Sequence, residues 1–129
     1  MKKAGILNRE LSGAIAELGH GDGVLVCDAG LPTPRGPRVV DLAFRAGVPS
    51  FAEVLDGLLA ELVVEGATAA DEIRAANPAA SALLHGHFPE LTLVPHERLK
   101  QLSADARLIV RTGEARPYAN VLLHCGVFF

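Results

Sequence analysis

Short apolar runs alternating with capped, amphipathic segments constrain this chain more than any other feature. Val24-Leu25-Val26-Cys27, "VVDLAF" (39–44), "LTLVP" (91–95), "ARLIVRT" (106–112) and "NVLLHCGV" (120–127) are each strand-length, apolar and rich in β-branched residues. Helical signals fall between them. Asn8 is a good N-cap for "RELSGAIAEL", where Leu11, Ile15 and Leu18 recur at helical spacing. Ser50 opens "FAEVLDGLLAEL" with Glu53 three positions on, the pattern of a capping box. Phe51, Val54, Leu55, Leu58, Leu59 and Leu62 form one apolar stripe behind it. Asn77-Pro78 starts a short helix through about Leu84, and "HERLKQLS" (96–103) supplies a further turn or two. "VVEGATAADEIRAAN" (63–77) begins like a strand and ends like a helix. Strands and helices alternating in this way predict a single α/β domain over residues 1–129, three layers deep, with a mainly parallel sheet flanked by helices.

The totals agree with one soluble domain and exclude several functions. A chain of 129 residues, half of them apolar, buries one sizeable core. A net charge of −3 with scattered basic residues gives no footprint for nucleic acid or an anionic membrane. Asn8, Arg9 and Glu10 interrupt any signal-like apolar region, and no window is long enough to span a bilayer, so the expected location is cytoplasmic. Cys27 and Cys125 lie far apart in apolar runs and read as two small buried thiols in neighbouring strands. The chain ends in Phe128-Phe129, which either folds back on the core or packs against another molecule.

The stretch "ELGHGDGVLVCDAGLPTP" (17–34) carries the most chemistry. Its glycines suggest a phosphate cradle, but such cradles run strand, loop, helix, so that a helix N-terminus supplies the donors. Here the order is helix, glycines, strand, which reads as a turn. Gly19 falls where a helix commonly ends in the left-handed conformation. His20 lies just past that helix end, and Asp28 at the C-terminal end of the first strand, where open α/β sheets bind ligands. A C-capping histidine and a turn-initiating aspartate would look the same. His96 follows another strand end. His85 and His87 are spaced by two with no ligand partner beside them, and His124 sits in an apolar strand, so no metal site is expected. "RTGEARPYAN" (111–120) places the only tyrosine, Tyr118, near Asn120, a phenol and an amide that suit a sugar. Histidine, aspartate, tyrosine and asparagine without a nucleophile motif point to proton transfer on a neutral polar ligand.

"KKAGILNRELSGAIAELGHGD", "DAGLP", "GVPSF", "PHERLK" and "RTGEARPYANVLL", in this order, resemble the D-ribose pyranase family over essentially the whole chain. The related L-fucose mutarotase family shares "GH-x-D" and "TGE" but typically reads "DAHFP" and "YGN". The resemblance implies an isomerase interconverting the pyranose and furanose forms of D-ribose without metal or cofactor. It implies His20 as proton donor, and Asp28, His96, Tyr118, Ala119 and Asn120 as substrate-binding residues. It further implies pentameric rings stacked as decamers, with sites between adjacent subunits. An L-fucose-type mutarotase and a non-catalytic sugar-binding accessory of a ribose transporter are the alternatives. Gly21 and Arg116 depart from the family's usual threonine and small hydroxyl residue. Gly21 is expected to loosen the His20 turn, and Arg116 to alter charge at the site mouth.

Overall fold

The computed structural model describes residues 1–129. Six strands form one sheet in the order β2-β5-β1-β6-β3-β4: β1 (Gly23–Cys27), β2 (Arg38–Asp41), β3 (Val64–Ala70), β4 (Thr92–Val94), β5 (Leu108–Arg111) and β6 (Val121–Cys125). Five run parallel; β6, inserted between β1 and β3, is antiparallel to both. Only nine residues, 112–120, link β5 to β6, fewer than a parallel crossover needs.

The expected caps are formed. Asn8 Oδ1 accepts from Leu11 N–H to start α1 (Arg9–Ala16). Ser50 and Glu53 complete a reciprocal capping box at α2 (Phe51–Leu59). The ambiguous stretch divides into β3 and a single helical turn, α3 (Ile73–Ala76). Asn77 Oδ1 accepts from Ala80 N–H at α4, which runs from Pro78 to His87, a turn beyond Leu84. The last helix, α5, covers His96–Ser103. Of "VVDLAF", only Val39–Asp41 is strand.

The helices divide unequally between the faces. Leu11, Phe51, Leu55, Leu58, Ile73 and Leu84 from α1–α4 pack with Val24, Val26, Val110, Val121 and Leu123 into the larger core. The opposite core joins Leu25, Cys27, Ile109 and Leu122 to Leu99 of α5. Cys27 and Cys125 are buried and free in neighbouring strands; because β6 is reversed, they sit at opposite ends. Burial pushes the Cys27 thiol up to about 12.

Phe128 and Phe129 are 89% and 90% exposed, so the terminus does not fold back on the core. The turn after α1 also differs from expectation. Gly21, not Gly19, takes the positive φ, at 84°. Its N–H donates to Cys125 O at 2.8 Å, which ties the turn to the end of β6.

Candidate active site

The reversal of β6 determines what collects at one sheet edge. The residues leading into β6, Tyr118, Ala119 and Asn120, arrive beside the C-terminal ends of its two neighbours, β1 and β3. Asp28 lies one residue past β1 and is 8% exposed. Asn120, fully buried, grips it twice: Oδ1 accepts from Asp28 N–H at 2.8 Å, and Nδ2 donates to Asp28 Oδ2 at 3.0 Å. Gly30 N–H donates to the other carboxylate oxygen at 2.9 Å. Arg111, at the end of β5, donates from Nε and Nη2 to Ala29 O and from Nη1 to Asp41. The "DAGLP" loop is therefore fixed before any ligand arrives.

The opposite wall is His96 and Tyr118, whose rings meet edge to face with centroids 5.0 Å apart. His96 opens α5, where the capping position is Pro95 and offers no side-chain acceptor. Glu72 substitutes, accepting from His96 N–H at 2.8 Å. His96 Nδ1 is buried without a hydrogen-bond partner. Tyr118 has φ 58°, a left-handed conformation that costs a bulky side chain energy and is held by its surroundings. Asn77 Nδ2 donates to Pro117 O at 2.9 Å, and Asn120 N–H to Tyr118 O at 2.8 Å. Strained backbone held on both sides is a mark of a binding site.

Between these walls lies a pocket of about 400 Å³ lined by Asp28, Gly30, His96, Glu114, Arg116 and Tyr118, among others. Ala119 is enclosed at 1% exposure and Asn120 at 0%, so both act from behind this surface. At the mouth, Arg116 Nε donates to Glu114 Oε1 at 3.0 Å. Glu114 is 4% exposed and also accepts from Phe51 N–H at the start of α2. The Arg116 guanidinium, with the backbone donors, holds the Glu114 carboxyl below its ordinary value of 4.5. The charge that Arg116 brings is thus largely matched by Glu114. Gly113 allows this loop to close: a Cβ there would collide with the carbonyl oxygens of Val48 and Arg45.

A depressed carboxylate pKa stabilises the fold above the unfolded value and loses that contribution as pH falls through the folded one. Glu114→Gln is therefore less stable than wild type near neutral pH. The difference closes as pH drops below the ordinary 4.5. Urea denaturation across pH measures this; a gap that stays constant into acid contradicts it.

His20 is not part of this pocket. It stands at the other end of β1, in the turn preceding Gly23, 60% exposed and paired with Glu65 at 3.1 Å. The four residue steps of β1 alone separate the two ends by roughly 13 Å. One chain therefore brings together Asp28, His96, Tyr118, Ala119 and Asn120, but not His20. The remaining histidines have structural partners: His85 with Ser81 O, His87 with Asp56, and His124 with Thr68 Oγ1. No three His, Cys, Asp or Glu side chains converge as a metal site, and no helix is long and apolar enough to cross a membrane. Sequence reasoning gave no role to Glu65, Glu72 or Asn77; only Asn77 carried a local signal, as a helix cap.

A parallel-rich α/β sheet with a fixed polar pocket at its strand ends defines a small-molecule-binding domain of the doubly covered type. The chain belongs to the RbsD / FucU transport protein family, whose model matches residues 1–128. It is 84% identical to the D-ribose pyranase of Streptomyces coelicolor, with all of both chains aligned. RbsD of Bacillus subtilis, solved in complex with D-ribose, superposes with a TM-score of 0.95 at 43% identity, again covering both chains fully. The fucose mutarotase of Streptococcus pneumoniae, in complex with L-fucose, shares the fold, with a TM-score of 0.79, 22% identity and 95% of each chain covered.

Proposed function

We propose that this chain is a D-ribose pyranase, an isomerase that interconverts the pyranose and furanose forms of D-ribose by acid–base ring opening and closure. The observation that carries the reading is the preformed pocket in which Asp28, His96 and Tyr118 converge. It is a neutral-ligand site: the Asp28 carboxylate, one imidazole and one phenol face a space large enough for a monosaccharide, and the other two charges, Glu114 and Arg116, are paired with each other. The identity to D-ribose pyranases supports the choice of sugar.

The reaction needs a proton removed from the anomeric hydroxyl and one delivered to the pyranose ring oxygen. The open aldehyde then rotates and is attacked by a different hydroxyl. Asp28, with its carboxylate held by Asn120 and Gly30, orients a sugar hydroxyl by accepting its hydrogen. Tyr118 and His96, packed edge to face on each other, form the wall of the pocket opposite Asp28. His20 is the proton donor, and because it lies at the far end of β1 it comes from a neighbouring copy. A stacked pentameric ring supplies that neighbour, and the exposed Val63, Val127, Phe128 and Phe129 near the His20 turn suit its burial. No residue assigned a step calls for a metal or organic cofactor, and a cytoplasmic site of action fits the reduced thiols.

Saturation-transfer NMR on D-ribose is the direct test. Catalytic amounts of protein should accelerate pyranose–furanose exchange. Unchanged exchange, or acceleration of L-fucose anomer exchange in its place, overturns the reading. Binding of ribose without acceleration would instead identify a sugar-binding accessory protein.

A further inference from the structure

Glu65 stands where the ladder between β3 and β6 breaks step. Val64 pairs with Cys125 and Gly66 with His124, so Glu65 is the additional residue of a β-bulge. A bulge bends its strand and re-aims a side chain. Here the Glu65 carboxylate meets the His20 ring, Oε2 to Nε2 at 3.1 Å. Gly126 leaves room for it: a Cβ at that position would lie 3.3 Å from both Cβ and Oε2 of Glu65.

The histidine is held as firmly as its partner. Gly19 N–H donates to Asp22 Oδ2 at 2.8 Å and Asp22 N–H to Gly19 O at 3.2 Å, which closes the turn around His20. Gly21 N–H donates to Cys125 O and Cys125 N–H to Asp22 O, which ties the turn to the end of β6. Gly126 N–H donates to Val63 O, which ties β6 to the strand carrying Glu65. Backbone bonds thus fix both partners on one frame.

Stability is a poor explanation for the pair, since His20 and Glu65 are 60% and 51% exposed and exposed ion pairs contribute little. Its consequence is chemical: the hydrogen bond one ring nitrogen makes decides what the other can do. We propose that Glu65 is the positioning residue of His20, keeping the hydrogen on Nε2 and turning Nδ1 toward the sugar as the nitrogen that gives up the proton. This rests on the reading of His20 as proton donor. In ring opening the Nδ1–H bond breaks as the ring oxygen gains its hydrogen, and the C1–ring oxygen bond breaks while the anomeric hydroxyl loses its proton to the base. The imidazole is left neutral with Nε2–H still on Glu65. On closure, the attacking hydroxyl loses its hydrogen as Nδ1 regains one and the base returns its proton to the aldehyde oxygen.

The other titratable groups beside this turn are otherwise engaged. Asp22 is turned to Gly19 N–H, His124 to Thr68, and the Cys125 thiol is pushed up by burial, with Asp22 and Glu65 adding to it.

The test uses the full chain labelled with ¹⁵N-histidine. In wild type, neutral His20 should show the Nε2–H tautomer, and in Glu65→Ala a mixture of tautomers. Glu65→Ala should lower ribose exchange at saturating sugar about tenfold, with KM within about twofold, because Glu65 acts through His20 and not on the ligand. Glu65→Gln, whose amide oxygen still accepts from Nε2–H, should recover most of the loss. Wild-type turnover and tautomer in Glu65→Ala, with His20→Ala inactive, overturn the role of Glu65 alone. Full activity in His20→Ala overturns the role of His20, and with it this proposal. Thermal denaturation of Glu65→Ala should match wild type; a markedly lower midpoint accompanied by a raised KM identifies a structural role and rejects positioning.

Discussion

His20→Ala and Asp28→Asn should each abolish measurable ribose exchange, and subunits of the two variants assembled together should regain about a quarter of the wild-type rate. The first half follows from the chemistry: a positioned acid is worth about 10²–10⁴-fold and His20→Ala removes it, while Asp28→Asn removes the carboxylate that orients the sugar for it. The second follows from geometry. His20 and Asp28 flank opposite ends of β1, so no single copy presents both to one sugar. If a site takes His20 from one copy and Asp28 from the next, a random equal mixture gives an intact pair at about one site in four. Co-expression with separable tags, followed by saturation-transfer NMR on the doubly purified assembly, measures it. Activity no greater than the sum of the parents places the whole site in one chain and overturns the shared arrangement. Light scattering on the wild-type protein supplies the companion measurement, because a stable monomer cannot form such a site.

The two halves of this site differed in how legible they were. Asp28 and His96 were readable because strand ends are readable: "VLVC" and "LTLV" are unambiguous apolar runs, and ligand sites cluster beyond their C-terminal ends. "PYAN" was chemically suggestive, but its position depends on β6 running backwards, and the apolar pattern of "NVLLHCGV" does not give strand direction. The short, helix-free link from Thr112 to Asn120 did carry that signal, since parallel neighbours need a longer crossover. Glu65, Glu72 and Asn77 acquire their roles only from the fold. Glu65 acts through a bulge between the pairs Val64–Cys125 and Gly66–His124, which are distant along the chain, and Glu72 by capping a helix to which it does not belong. The separation of His20 from Asp28 was legible too: the sequence already set one before the first strand and the other at its end, and β1 puts roughly 13 Å between them.

Asn120→Ala should destabilise the protein and weaken ribose binding together, even though Asn120 has no surface open to the pocket. Its side chain makes two hydrogen bonds to one residue, satisfying both the N–H and a carboxylate oxygen of Asp28. Truncation leaves two buried polar groups, one of them charged, without their partner, and each unsatisfied group costs about 1–3 kcal/mol. Because Asp28 borders the pocket, water entering the vacated space offsets part of that, so a loss of about 2–3 kcal/mol is expected in urea denaturation. The carboxylate keeps only the Gly30 N–H to orient it, and the sugar must then order it on binding. Ribose affinity, followed by NMR titration, should fall at least about tenfold, the equivalent of about 1.4 kcal/mol. Tyr118→Phe makes the contrast: its ring keeps the edge-to-face contact with His96, so folding stability should stay close to wild type while any hydrogen bond to the sugar is lost. Wild-type stability and affinity in Asn120→Ala would mean that the Asp28–Asn120 pair neither supports the fold nor prepares the site.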